Sequence, residues 1–364
     1  MAFIPPHGFW NAPRAFMGFV GFVRVQDGTV KGNNDGVSDT PHGSYLIRAT
    51  SADINLTQEI SKPDVIDSRY DRSVYQLGPK LVDGSFAFPA VYEVPTGETT
   101  TLFEILYRYA VTRDNFGLLS PFELNVKYAA SSMLPNEAEF KYTGCIANSW
   151  KFSVAQSDVV TCNVDIIGVN RETLGALDPP ARSDTACTGS STTETASLGT
   201  TRIVTWNDAR VEISGGRLTS SIGGEYVRSF EANVNNDAER YYTLNTRLFV
   251  QAIAPRKREI TGNVVLIGRH QALANVALNN ELNCTESANI KFGFNTPGTG
   301  EGCSSSTFNV TMPNSIFEIE EMSLTNDLFE TTVNWHALPS AGTGVCDPML
   351  ASLGTTTFDY ESNA

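Results

Sequence analysis

Residues 229–267 read SFEANVNNDAERYYTLNTRLFVQAIAPRKREITGNVVLI. The opening run alternates, with Phe230, Ala232 and Val234 on one side and Glu231 and Asn233 on the other, the pattern of a half-buried strand. The closing run, EITGNVVLI, is β-branched and also reads as a strand. Between them lies a polar stretch with a basic tip, Arg256-Lys257-Arg258. A hairpin connection usually needs only about two to five residues, so the excess length points to an external task.

The neighbouring sequence extends the pattern. IVTWNDARVEISGG precedes it as a strand. HQALANVALNN follows as a helical segment, and NIKFGFNT, STFNVTMP, IFEIEEMS and LFETTVNWHAL read as four more strands. The first half of the chain has the same order. YLIRATSADINLTQEI and LVDGSFAFPAVYEV are strand-like and flank the polar stretch SKPDVIDSRYDRSVYQLGPK. TLFEILYRYAVT then places Leu102, Ile105, Leu106 and Tyr109 on one helical face, and FELNVKYAA, EFKYTGCIA, SWKFSVAQS and VVTCNVDIIGV read as four strands. Gly84 matches Gly262 (262 − 84 = 178), Val164 matches Val333 (333 − 164 = 169), and Asn148-Ser149-Trp150 is set against Asn314-Ser315-Ile316 (314 − 148 = 166). The expectation is a mainly β fold of two tandem antiparallel β-sandwich or barrel modules, each with one flanking α-helix. The expected divisions are an N-terminal arm at 1–43, modules at 44–170 and 201–340, a Ser/Thr/Pro/Gly-rich linker at 171–200 and a tail at 341–364.

Length and composition agree with two globular cores: 364 residues, 41% hydrophobic. The formal charge is −14, which argues against a protein that grips the outside of nucleic acid. An acidic wall has another use, to repel DNA from a surface it must slide past, although acidity also serves solubility. The six cysteines show no metal or redox spacing and read as mostly buried thiols, a Cys145–Cys162 pair across adjacent strands being the lesser alternative. The apolar N-terminus carries Pro5, Pro6 and Arg14, which argues against a secretory signal, and its Phe16 to Val23 run is too short to cross a membrane.

Patterns of chemistry are missing. His7, His42, His270 and His336 make no metal-binding pair, and no nucleophile elbow or phosphate-binding loop occurs. Glu318, Glu320 and Glu321 cluster on one strand; two of them could be a glycosidase pair, but a solvated strand face explains them more simply. No catalytic residue, cofactor or metal is expected, and the chain reads as no enzyme.

The stretch 229–267, with Tyr242-Thr243-Leu244-Asn245-Thr246-Arg247 and Pro255-Arg256-Lys257-Arg258-Glu259-Ile260-Thr261-Gly262, resembles the phage tail tube protein family. GCIANSWKFSVAQSDVVTCNVDIIGVNRE resembles the family segment in which a turn leads into two paired strands. The resemblance covers roughly 40–340 and implies a structural virion protein of a long-tailed, siphovirus-like phage. Its subunits form rings whose inner sheets join into a barrel, and the stacked rings carry DNA during ejection. With two modules per chain, three chains would supply the six modules of a ring. The resemblance also implies partners: further copies of the chain, tail terminator and distal tail or baseplate proteins, and a tape measure protein, with assembly in the host cytoplasm and no membrane. The segments 57–80 and 235–258 would reach the adjacent ring through Arg69, Tyr70, Arg72, Tyr75, Arg240, Tyr241, Tyr242, Arg247, Arg256, Lys257 and Arg258. Asp53, Asn55, Glu231, Asn233, Glu318 and Glu320 are the expected channel-facing residues. Another β-sandwich virion component, a decoration or receptor-binding protein, is the alternative reading.

Overall fold

The computed structural model describes residues 19–24, 44–47, 49–61, 76–91, 102–111, 119–127, 139–173, 203–214, 218, 221–242, 250, 252–268, 273, 288–295, 307–325, 328–337 and 350–352. The chain is mainly antiparallel β. The strands are β1 (Phe19–Arg24), β2 (Ser44–Ile47), β3 (Ser51–Ser61) and β4 (Gln76–Pro89), followed by helix α1 (Leu102–Val111). Next come β5 (Phe122–Lys127), β6 (Glu139–Ala155), β7 (Thr161–Gly168), β8 (Asn170–Thr173), β9 (Ala209–Ser214), β10 (Val227–Asn235), β11 (Ala238–Tyr241) and β12 (Ala252–Pro255). The last are β13 (Glu259–Ile267), β14 (Ala288–Asn295), β15 (Thr307–Thr325), β16 (Leu328–Ala337) and β17 (Leu350–Ser352).

One row of eight strands runs β3-β4-β7-β6-β10-β13-β16-β15. Its second four strands repeat the pairing of the first. Ile54 stands opposite Gly84 as Ala232 stands opposite Gly262, and 232 − 54 equals 262 − 84, or 178. Trp150 stands opposite Val164 as Ile319 stands opposite Val333, with 319 − 150 = 169. That register moves the match of the Asn148-Ser149-Trp150 stretch three residues away from the one its asparagine and serine suggest.

The long strands β6 and β15 each cross from this row into a second layer. Their N-terminal parts pair with β5 and β8, and with β14 and β17, respectively. The sequence pattern predicts two strands in place of each. Gly144, at φ 62°, and a bulge between Ala147 and Ser149 let β6 change layer without stopping. β1 pairs β5 as β9 pairs β14. Thus Phe19–Arg24, inside the expected N-terminal arm, is a strand of the sheet, β8 runs from the last residue of the expected first module into the expected linker, and β17 falls in the expected tail.

Alternation makes the core. Ile54, Val82, Phe86, Trp150, Phe152, Val164, Phe230, Val264 and Trp335 point to one side of the row, where α1 and the second layer cover them. α1 buries Leu102, Phe103, Ile105, Leu106, Tyr107, Ala110 and Val111, while Arg108 stays outside. Phe103 packs edge-on to Trp150, Phe294 and Phe308, and Phe292 stacks on Phe230, so aromatic contacts join the two halves of the chain. Of the expected second helix, 270–280, only Leu273 is among the described residues; it is helical and buried.

Candidate assembly surfaces

The face of the eight-strand row away from the core is polar. β3 presents Asp53, Asn55 and Thr57, all exposed; β7 presents Thr161, Asn163 and Asp165; β10 presents Glu231 and Asn233; β15 presents Glu318. These placements follow from alternation: the neighbours Ile54, Phe230, Ala232, Val234 and Phe317 are buried. Side chains on this face bond to one another. Asn55 Nδ2 donates to Asp53 Oδ1 (2.6 Å), Ser149 Oγ donates to Asp165 Oδ2 (2.5 Å), and Ser153 and Thr161 share a hydroxyl bond of 3.0 Å. Lys151 pairs with Glu231 at 2.8 Å, Arg228 pairs with Glu330, and Arg240 pairs with Asp83. The side chain of Glu320 lies outside the described residues.

The centre of the row is the joint between β6 and β10, with Glu231 opposite Ser153 and Val234 opposite Trp150. Asn236 secures it. Fully buried, its Nδ2 donates to the carbonyls of Ala110 at the end of α1 (2.8 Å) and of Ala147 in β6 (3.0 Å), and its N–H donates to the Asn148 carbonyl. Asn148 Oδ1 accepts from the Ala238 N–H, and Asp237, at φ 45°, turns the chain there with its N–H on Asn235 Oδ1. Arg258 donates to the Val111 carbonyl (2.6 Å), capping the last turn of α1. In the sequence, Asn148 and Asn236 read only as turn residues; nothing local says that one of them reaches the end of a helix 126 residues away.

The two long connections emerge from extended hairpins. β3 runs on to Ser61 and β4 resumes at Gln76, with Ile60 opposite Leu77. β11 and β12 make the matching extension, Ala238 opposite Pro255, with 238 − 60 equal to 255 − 77. The segments 57–80 and 235–258 are therefore strands at their bases. Arg69, Tyr70, Arg72, Tyr75 and Arg247 lie outside the described residues. Tyr241 and Tyr242 are exposed, as is Ile60. Arg240 turns back into the chain, donating to the Val82 carbonyl (2.7 Å) as well as pairing with Asp83. Arg256 pairs with Glu239, whose carboxylate pushes the guanidinium titration further up, and Lys257 is exposed.

No group of metal-ligating side chains forms among the described residues. Cys145 and Cys162 are free and buried, and burial pushes both thiols up, so neither is an activated nucleophile. A cleft of about 340 Å³ beside β9 is lined by Trp206, Arg210 and Glu225. Arg210 there already donates to the carbonyls of Asn207 and Ala209. No helix among the described residues is long and apolar enough to cross a membrane.

The described residues form a two-layer antiparallel β fold with a polar face on the eight-strand row and two extended hairpins. A family model described as phage tail tube protein matches residues 28–317, and the chain belongs to that family. It is a structural component of a phage tail. No curated protein matches the chain significantly.

Proposed function

We propose that the chain is a tandem duplication of one tail tube module and that three copies close a ring with pseudo-sixfold symmetry. The rings stack into a tube through which DNA passes. The observation that carries this reading is the β6–β10 joint: two runs of four strands with matching registers meet edge to edge inside one chain. Among the described residues, β3 and the C-terminal half of β15 each keep one edge unpaired at the two ends of the row. Repeating the internal joint between chains removes both edges. The twist of the sheet curves the row, and the helix side, carrying the bulk of the core, belongs outside.

The polar face then lines the channel, with at least one of Asp53, Glu231 and Glu318 in its wall. DNA phosphates meet carboxylates and neutral amides and hydroxyls there, which repel or slip instead of binding. The exposed Tyr241 and Tyr242, and the segment 57–80 with Arg69, Tyr70, Arg72 and Tyr75, contact the adjacent ring. Terminator, distal tail or baseplate and tape measure proteins are the expected partners at the tube's ends and interior, during assembly in the host cytoplasm. Electron microscopy of the purified chain tests this reading: hollow tubes or rings support it, and particles with no central hole under all assembly conditions overturn it.

A further inference from the structure

We propose that the first half of the chain presets the β11–β12 hairpin for ring stacking, with Arg240, Asn236 and Arg258 as its positioning residues. The proposal rests on the reading that this hairpin meets the adjacent ring, and adds what aims it. β11 and β12 form a two-stranded sheet of their own. Such a ribbon is marginally stable at best in water. The hairpin of β3 and β4 is built differently. Those strands run out of the row to Ser61 and back from Gln76 without a break, with only a register shift between Gln58 and Ile60. In the second half, the ribbon joins β10 and β13 through two short breaks, at 236–237 and 256–258, and Asp237 turns the chain with φ 45°. The Arg256 N–H donates to the Asn236 and Asp237 carbonyls (3.2 and 3.3 Å), which ties the two breaks together. The ribbon can therefore tilt only as one piece.

Three side chains oppose that tilt, and each reaches residues of the first half. Arg240, in β11, donates to the Val82 carbonyl of β4 (2.7 Å) and pairs with Asp83. Its side chain is only 16% exposed, so water competes less for these bonds than for a surface ion pair. Asn236 and Arg258, one at each break, donate to the Ala110 and Val111 carbonyls at the end of α1 (2.8 and 2.6 Å). The last carbonyls of a helix lack partners within it and carry partial negative charge, so they suit an amide and a guanidinium. The position matching Asn236, 178 residues earlier, is Gln58, which closes on its own hairpin by donating to the Gly78 carbonyl (3.2 Å). A hairpin already fixed in direction loses less freedom when it docks, so less of the contact energy is spent on ordering it.

Hydrogen exchange and assembly together test the proposal. In the unassembled chain, amides at 239–241 and 252–254 should be protected. Arg240→Ala should release them while residues 229–235 and 260–266 of the row stay protected. The same variant should still form rings, but the concentration needed for tubes should rise severalfold. Arg240→Lys, which keeps a cation beside Asp83, should recover part of that loss. Hairpin amides that exchange freely in the unassembled native chain overturn the proposal. So do tubes that form from Arg240→Ala at the native concentration although its hairpin amides are released. Both results leave the stacking reading intact, which falls only if a shortened hairpin gives normal tubes. Loss of rings, or of protection across 229–235 and 260–266, in Arg240→Ala makes Arg240 a general fold residue and overturns its positioning role.

Discussion

Gly84 and Gly262 show how a single residue marks the fold. Neither needs a left-handed backbone; each is glycine because another chain segment lies too close. A Cβ on Gly262 would come within 2.1 Å of the Glu231 carbonyl oxygen and 2.3 Å of the Trp335 ring, and one on Gly84 within 2.3 Å of the Asp53 oxygen. Gly262→Ala should therefore cost about 1–3 kcal/mol of stability. Gly224→Ala, whose nearest atom would be 3.6 Å away, should be close to neutral on this count. Chemical denaturation of the two variants checks the contrast; equal midpoints would contradict it. Asn236→Ala should cost about 1–3 kcal/mol, because it strips buried carbonyls at Ala110 and Ala147 of their donor. An unchanged denaturation midpoint would show that the joint does not depend on it. The glycines are legible in the sequence as matched positions in two similar runs. Asn236 is not, since its role depends on a helix end brought to it only by the fold.

At the level of elements, alternation reveals the strands and which side each buries, and the helical spacing of Leu102, Ile105, Leu106 and Tyr109 locates α1. Strand ends are harder to read. Asn148-Ser149 and Pro313-Asn314 look like turns, yet each lies inside a long strand where it changes neighbours. Proline is tolerated in a strand at such irregular points, and the β14–β15 register shifts beside Pro313. β1 is hidden for another reason. FVGFVR belongs to an apolar N-terminus with no matching run in the second half, because its counterpart β9 reads ARVEIS. The hairpins make the prediction proper to this scale. Removing residues 243–249 should leave a folded chain, since β11 and β12 still pair below the cut, but should abolish polymerisation. Circular dichroism and sedimentation of the variant report the two outcomes separately, and tubes of normal length would refute a stacking role.

Over the whole molecule one row of eight strands has a polar side, an apolar side and, among the described residues, two unpaired ends. The proposal that the polar side lines the channel makes a prediction away from any joint. Asp165 lies on β7, inside the row, exposed and held by Ser149. Asp165→Lys in the phage should leave tubes intact yet slow DNA ejection, most at low salt where screening is weakest. Ejection at the normal rate would remove the channel from that face. If duplicated modules close a ring of three, the mass of an isolated ring measured under native conditions must equal that of three chains. Three chains around a central hole are expected; six chains, or a closed particle without a hole, would rule out a ring of three.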